Sequence, residues 1–204
     1  MKYMGNIDKK GRCMRKTREL GIKYVKTYVG CAQSTFAAVV DALRSEGVNL
    51  VTPEVEEEIH KGLVGLSGGV GNLSVGNCGA LTAASLAISL ASNIGRMKNK
   101  QDKENRWISY FNVAEGVAKK FMRKYGGLTC REVQIGRFGK YLDLRIPEMN
   151  KEFFENAEKR GCQTPEKCTI SQAAAWAVEA ILDMREHPRD LERIKTEYER
   201  GHWR

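Results

Sequence analysis

The sequence predicts an all-α fold, a compact single-domain helical bundle, from three observations. Apolar residues recur at helical spacing along most of the chain, and no alternating strand pattern is sustained. Capping and breaking residues divide the periodic segments into helix-length pieces. The stretch from Gly62 to Asn93, GLVGLSGGVGNLSVGNCGALTAASLAISLASN, carries no charge and joins a glycine-rich loop to a run of small and apolar residues. That run reads as a buried central helix over about residues 77–94, with the glycine-rich loop before it. Small side chains there let neighbouring helices come close, and the loop glycines permit tight backbone approach.

Each element has its own justification. An amphipathic first helix is expected over 12–28, where Met14, Leu20, Tyr24 and Tyr28 lie among basic residues, with a stop near Gly30. A second begins with Cys31 in or near its first turn, buries Ala32, Phe36, Val39, Val40 and Leu43, and ends by Gly47. Thr52 and Pro53 supply an N-cap and a first-position proline for an acidic helix (Glu54, Glu56, Glu57, Glu58) that reaches about Leu63. Asn77 is expected to cap the central helix, with Cys78 in its first turn and an end near Gly95. Residues 97–104 are polar and read as an exposed connection. Trp107, Phe111, Val113, Val117, Ala118 and Phe121 predict a helix over 106–125, closed by Gly126 and Gly127. Thr129 with Glu132 makes a capping box that places Cys130 in a first turn. Residues 137–149 are the least helical and read as an extended surface piece, after which Asn150 is expected to cap a short helix halted at Gly161. Cys168 opens a last core helix with a stripe of Ile170, Ala174, Ala177, Val178, Ile181 and Leu182. Residues 1–186 thus form the domain and 187–204 a charged tail, an exposed helix that frays or serves an oligomer contact such as a homodimer.

The totals narrow the function. A chain of 204 residues is long enough for a full hydrophobic core. The solid apolar runs fall well short of the ~20 residues that span a bilayer, and positive charges near Met1 have no apolar run after them, so a cytoplasmic protein is expected. The net charge of +9 is concentrated: residues 1–30 carry nine Lys or Arg against two acids. Such a basic face would suit an acidic redox partner protein or another anionic surface. No nucleic-acid-binding motif accompanies it, so a binding module built on this helix ranks last. The segment GGVGNLS lacks the Lys-Ser/Thr ending of a phosphate loop and follows no strand. His60 follows the acidic helix and reads as an ordinary surface histidine rather than a ligand, and Trp203 near the chain end is uninformative.

The chemistry is carried by six cysteines, at 13, 31, 78, 130, 162 and 168. In a reducing compartment dispersed thiols bind metal or do redox chemistry more often than they form structural disulfides. There is no CxxC, hence no c-type haem motif and no thioredoxin-type pair. Cys31, Cys78, Cys130 and Cys168 each fall at an expected helix start, where unpaired N–H groups and the positive dipole end favour a thiolate.

Cys31 in GCAQS, the loop GLSGGVG, Cys78 in GNCGALTAA, Cys130 in LTCREV and Cys168 before an Ala-rich helix together resemble the C_GCAxxG_C_C family, described as redox-active proteins. The match in order and context runs from about Cys31 to Ile181. It departs at Ala83, where members usually have glycine. A domain similar to this one also occurs in split-Soret cytochromes, which implies a role near iron and electron transfer. The resemblance implies Cys31, Cys78, Cys130 and Cys168 as the family set. Cys168 is preferred to Cys162 because the helix after it matches better, and Cys13 lies outside the set. Two chemistries stand open for that set. One is an iron-sulfur cluster or iron ligated by these four, with Cys162 as an additional ligand and Gly68, Gly69, Gly71 and Gly79 closing around the cofactor. The other is thiol-disulfide exchange without metal, with Cys31 and Cys78 as the reacting thiols. Either makes the chain an oxidoreductase or an electron-transfer component.

Overall fold

The computed structural model describes residues 2–199, and the side chains of residues 9–197. Helix α1 (Lys2–Tyr28) starts well before residue 12, because no proline or strong breaker interrupts the lysine-rich segment ahead of the amphipathic part. The chain turns at Val29, whose φ is +61°, and folds back as α2 (Cys31–Ser45). In α3 (Pro53–Val64) the Thr52 side chain accepts the Val55 N–H, so the expected cap and proline both take their places.

Helix α4 (Gly79–Ser92) is the central helix, shorter than the expected 77–94. Asn77 does not cap it. Asn77 pairs instead in an antiparallel bridge with Thr129, and Cys78 becomes the N-cap residue, its carbonyl accepting the Thr82 N–H at 2.9 Å. Asn93, at φ +55°, ends the helix ahead of Gly95. The polar 97–104 segment is not an open connection: it folds as α5 (Arg96–Gln101) and a 3₁₀ turn (Lys103–Asn105), with Asp102 accepting the Glu104 N–H and neither piece burying a residue.

The expected helix over 106–125 forms as α6 (Arg106–Val113), a π-helical turn (Ala114–Ala118) and α7 (Lys119–Tyr125), closed by Gly126 at φ +79°. Helix α8 (Cys130–Phe138) starts with the complete Thr129–Glu132 capping box. The 137–149 segment is not extended. It is shared between the end of α8, irregular turns, and the start of α9 (Pro147–Lys159), which opens at Pro147, with Asn150 inside it donating to the Leu144 carbonyl at 2.9 Å. Gly161, at φ +65°, follows the end of α9. Then come α10 (Thr169–Glu186), with Cys168 as its N-cap residue, and α11 (Leu191–Glu199). Trp203, His202 and the remainder of the 187–204 tail past residue 199 lie outside the described residues. No helix of the described residues is long and apolar enough to cross a membrane.

Four helices make the core. α2 and α10 each pack against α1, against α4 and against one another, and α4 is covered on its other side by α6 and the π turn. A helix covered on several sides has no face left for charge, which is why α4 contains none. Its Ala80, Ala83, Ala84, Ala87 and Ile88 meet Phe36, Val39, Val40 and Leu43 of α2 and Ala174, Ala177, Val178 and Ile181 of α10. Helix α11 is not solvated all round, because Ile194 is buried and the helix rests on α6.

The approach of α1 to α10 is set by Gly21: a Cβ there would lie 2.9 Å from Ser171 Cα and 3.1 Å from its backbone nitrogen. Gly11, on the same helix, meets nothing nearer than the flexible Arg15 guanidinium at 3.7 Å. Gly→Ala therefore acts with opposite sign at the two positions. Gly21→Ala overpacks a backbone contact and is expected to destabilise by about 1–3 kcal/mol. Gly11→Ala gains helix propensity and should stabilise by about 0.5–1 kcal/mol. Urea midpoints followed by circular dichroism check both, and a Gly21→Ala protein as stable as the parent would contradict this packing.

Candidate functional site

The site is built on the loop between α3 and α4. Five successive residues, Gly68, Gly69, Val70, Gly71 and Asn72, have φ between +57° and +71°, and Ser74 follows at +63°. L-residues avoid this region, and glycine and asparagine tolerate it best, which explains the composition SGGVGN. Val70 is the exception, and a β-branched residue there costs of order 1–3 kcal/mol. The coil is closed by Gly71 N–H to Gly65 O and Ser74 N–H to Gly68 O, both 2.8 Å, and by Gly76 N–H to Gly69 O at 3.1 Å.

This loop caps α2 and contacts two sulfur-bearing residues. Ser67 Oγ accepts the Ala32 N–H at 3.1 Å and donates to Gln33 Oε1 at 2.8 Å. The Gly68 N–H points at Cys31 Sγ, 3.4 Å away. At Gly79 a Cβ would stand 2.5 Å from that same sulfur, and at Gly69 a Cβ would stand 2.7 Å from Cys130 Cβ. A Cβ at Gly71 would meet nothing within 4 Å, so this glycine is needed for its φ alone. A second constraint joins Cys78 to Cys130: the Cys78 N–H donates to Leu128 O and the Cys130 N–H to Gly76 O, both at 2.9 Å. Cys130 Sγ accepts from Gln134 Nε2 at 3.6 Å, while the other side of this buried amide accepts the Leu142 N–H at 2.9 Å.

Cys31 is half-buried, whereas Cys78 and Cys130 are buried. Burial pushes the Cys78 thiol far above its ordinary value, and charge on Cys31 and on Cys130 pushes it further. The Ala80 and Leu81 N–H groups, near the sulfur but outside capping geometry, pull weakly the other way. Cys130 is raised by burial and by Cys31, against the donors Gln134 and Ser74. The three sulfurs thus act on one another electrostatically, and none of the principal influences on Cys78 or Cys130 is a cation.

Cys168 is buried at the N-cap of α10; the phenol of Tyr125 is raised to about 12 chiefly by burial, with Thr169 and Arg137 opposing the rise and charge on Cys78 and Cys168 adding to it. Cys162 lies half-buried beside Cys168, with its sulfur 2.5 Å from the Arg137 guanidinium. Arg137 also donates to Lys167 O at 2.6 Å and to Thr169 Oγ1, and so ties α8 to the start of α10. Sequence reasoning missed Tyr125, Gln134 and Arg137. The steps of four from Cys130 to Gln134 and of three from Gln134 to Arg137 put these α8 residues on one helix face, which is the signal that marks Gln134 and Arg137. Cys13 stands apart as a core residue between α1 and α2, its Sγ donating to Ala42 O at 3.5 Å. His60 stacks edge-on against Tyr28, with ring centroids 5.1 Å apart. Among the described residues, no three His, Cys, Asp or Glu side chains stand close enough together to hold a metal ion as placed.

Two outcomes follow. Gly79→Ala drives a Cβ into the Cys31 sulfur and the Leu66 carbonyl, and should lower stability by about 1–3 kcal/mol while keeping the helical spectrum. The raised thiols also make the metal-free, reduced protein sensitive to alkali. A folded-state thiol above its unfolded value holds its proton longer in the fold, so stability is complete below pH 9.0 and falls as pH climbs towards about 11, the value that burial gives Cys13. Cys13→Ala should flatten that fall by about 2 kcal/mol over this window, read from urea midpoints at its two ends. An equal pH slope in parent and variant would contradict the assignment.

No curated protein and no solved structure matches the chain. One family does, over residues 29–180, and it is described as "Putative redox-active protein (C_GCAxxG_C_C)". The matched span runs from the turn before Cys31 into α10 and so contains Cys31, Cys78, Cys130, Cys162 and Cys168, with the glycine loop between the first two; by this match, over more than half its length, the chain belongs to the C_GCAxxG_C_C redox-active protein family.

Proposed function

We propose that the protein transfers electrons through an iron-sulfur cluster, or a thiolate-bound iron, ligated by Cys31, Cys78, Cys130 and Cys168. The observation that carries this reading is the shared glycine loop. It contacts Cys31 through Gly68 and Cys130 through Gly69, while Gly79, next to Cys78, lies against the Cys31 sulfur and the Cys130 N–H bonds the Gly76 carbonyl, two residues before Cys78. Four soft sulfur donors at four helix starts are the donor set that iron-sulfur chemistry uses.

The electrostatics support metal over free thiolates. Buried thiols that raise one another's pKa stay protonated near neutrality, which makes them poor nucleophiles. A bound cationic iron would supply the positive charge that the principal neighbours of Cys78 and Cys130 lack, and the group would provide one-electron transfer. The chain's own share is to hold the sulfurs and to offset their charge: the Gly68 N–H faces Cys31, and the Gln134 amide donates to Cys130. The half-buried Cys31 side is bordered by exposed Val29, Val64 and Val70, a surface on which an electron donor could dock. A thiol-disulfide reading has one observation in its favour, the closeness of the Cys31 sulfur to Gly79 next to Cys78.

Anaerobic purification with a visible spectrum, iron analysis and acid-labile sulfide assay tests the proposal. The expected result is a coloured, iron-containing protein whose colour is lost in Cys78→Ser while the helical spectrum is kept. A parent that stays colourless and iron-free after reconstitution sinks the metal reading. If that protein also forms one defined disulfide and alkylates quickly at Cys31, the thiol reading takes its place.

A further inference from the structure

We infer that the exposed basic face of α1 is the docking surface for a redox protein that carries an acidic face. That the partner is a redox protein rests on the redox reading above; the surface itself rests on charge and exposure.

Helix α1 has two distinct sides. Cys13, Thr17, Gly21 and Tyr24 are buried where it packs on α2 and α10, and Met14, Leu20, Ile22 and Val25 rest on the same core. The opposite side carries Lys9, Arg12, Lys16, Glu19, Lys23 and Lys26, all exposed. They recur in alternating steps of three and four, which keeps them in one stripe along the helix. Between Lys9 and Lys26 that stripe runs about 25 Å, at about 1.5 Å per residue. Exposed Arg15 flanks it.

This charge is not answered within the fold. Lys10, off the stripe, pairs with Asp183 of α10 at 2.5 Å, and Asp41 of α2 is taken by Tyr24 and Arg44. Arg15, Lys16, Lys23 and Lys26 form no ion pair among the described residues. Like charges three and four residues apart on a helix repel, a cost that an anionic partner removes.

The pattern selects among anionic partners. A lipid surface would need large apolar side chains between the cations, and on α1 these face the core instead. Nucleic acid would set a phosphate against Glu19 in the middle of the stripe, and no Asn, Gln or aromatic side chain in the stripe reads a base. A protein can set separate carboxylates against the cations on either side of Glu19. At the end of the helix the surface becomes apolar: Val29, three residues after Lys26, is 70% exposed, and Tyr28, Val29 and Val64 border an open depression of about 230 Å³. Charge beside exposed apolar residues is the composition of a protein–protein interface. Half-buried Cys31 begins the next helix, so a protein seated on this end stands beside the candidate redox site.

The test titrates the protein, as purified anaerobically, with plant-type ferredoxin, an acidic one-electron carrier, in a calorimeter at low and at physiological salt. Binding should weaken as salt rises, and Lys16→Glu/Lys23→Glu/Lys26→Glu should lose about tenfold or more in affinity with its helical spectrum unchanged. Zero-length carbodiimide cross-links to ferredoxin carboxylates should map to Lys16, Lys23 and Lys26 rather than to the exposed Lys98 and Lys100 of α5. The inference is overturned by no binding, by equal affinity in the triple variant, or by cross-links confined to α5. Equal affinity for soybean trypsin inhibitor, an acidic protein without a redox group, overturns it as well, as does tighter binding to duplex DNA or to phosphatidylserine vesicles. Iron analysis of the same preparation keeps the two readings apart. An iron-free protein that binds ferredoxin through these lysines retains the docking surface and loses the metal, and an iron-loaded protein that does not bind it does the reverse.

Discussion

Two backbone hydrogen bonds hold the chemistry of this fold in register. The Cys78 N–H bonds Leu128 O and the Cys130 N–H bonds Gly76 O, which clamps the segment entering α4 to the segment entering α8. Neither segment is a strand in any extended sense, and the bridge is a single residue pair. Its effect is nevertheless large, because Cys78 and Cys130 are far apart in sequence and belong to helices that otherwise contact little. Once they are joined, the glycine loop has only one place to go, folded over the gap between Cys31 and Cys130. The left-handed run from Gly68 to Asn72 is how the loop makes that turn without side chains colliding with the sulfurs.

That arrangement sets an electrostatic problem and part of its solution. Thiols gathered in a low-dielectric interior oppose each other's ionisation, and Cys78 bears most of this because it is buried and feels both neighbours. The backbone offers compensation at the same place, since helix starts present N–H groups and a partial positive charge. Side-chain donors add to it at Gln134 and, for Cys162, at Arg137. The strain lies close to this chemistry. Val29 and Val70, both β-branched and both at positive φ, flank Cys31 from the chain turn and from the loop. Stability spent there is supplied by the α1–α2–α4–α10 core, where alanine-rich faces approach closely and leave little exposed apolar surface.

How much of this was legible in the sequence depended on the range of the forces involved. The caps at Thr52 and at Thr129 with Glu132, and the helix ends at Gly126 and Gly161, follow from chemistry within a few residues, and local pattern locates them. The charge-free α4 was legible for a similar reason, because burial on several sides excludes charge along its whole length. Asn77 shows where local rules stop: its capping chemistry is sound, but its backbone is taken by Thr129, a partner that no sequence window contains. The 97–104 and 137–149 segments differ from expectation through single side chains: Asp102 accepts the Glu104 N–H at the start of a 3₁₀ turn, and the Gln134 amide of α8 accepts the Leu142 N–H and ties the irregular chain back to that helix. Tyr125 reads in sequence as the end of an apolar helix. Only the approach of α8, through Gly136 and Arg137, reveals that its hydroxyl is confined without a partner.

The central claim is that sulfur from four separate helix starts converges on one iron centre. X-ray absorption at the iron edge of the anaerobically prepared protein addresses it most directly. The account predicts a first coordination shell made of sulfur, which loses one protein sulfur in each of Cys31→Ser, Cys78→Ser, Cys130→Ser and Cys168→Ser and is unchanged in Cys13→Ser. A shell dominated by oxygen or nitrogen, or one unaffected by the Cys78 and Cys130 substitutions, would contradict it.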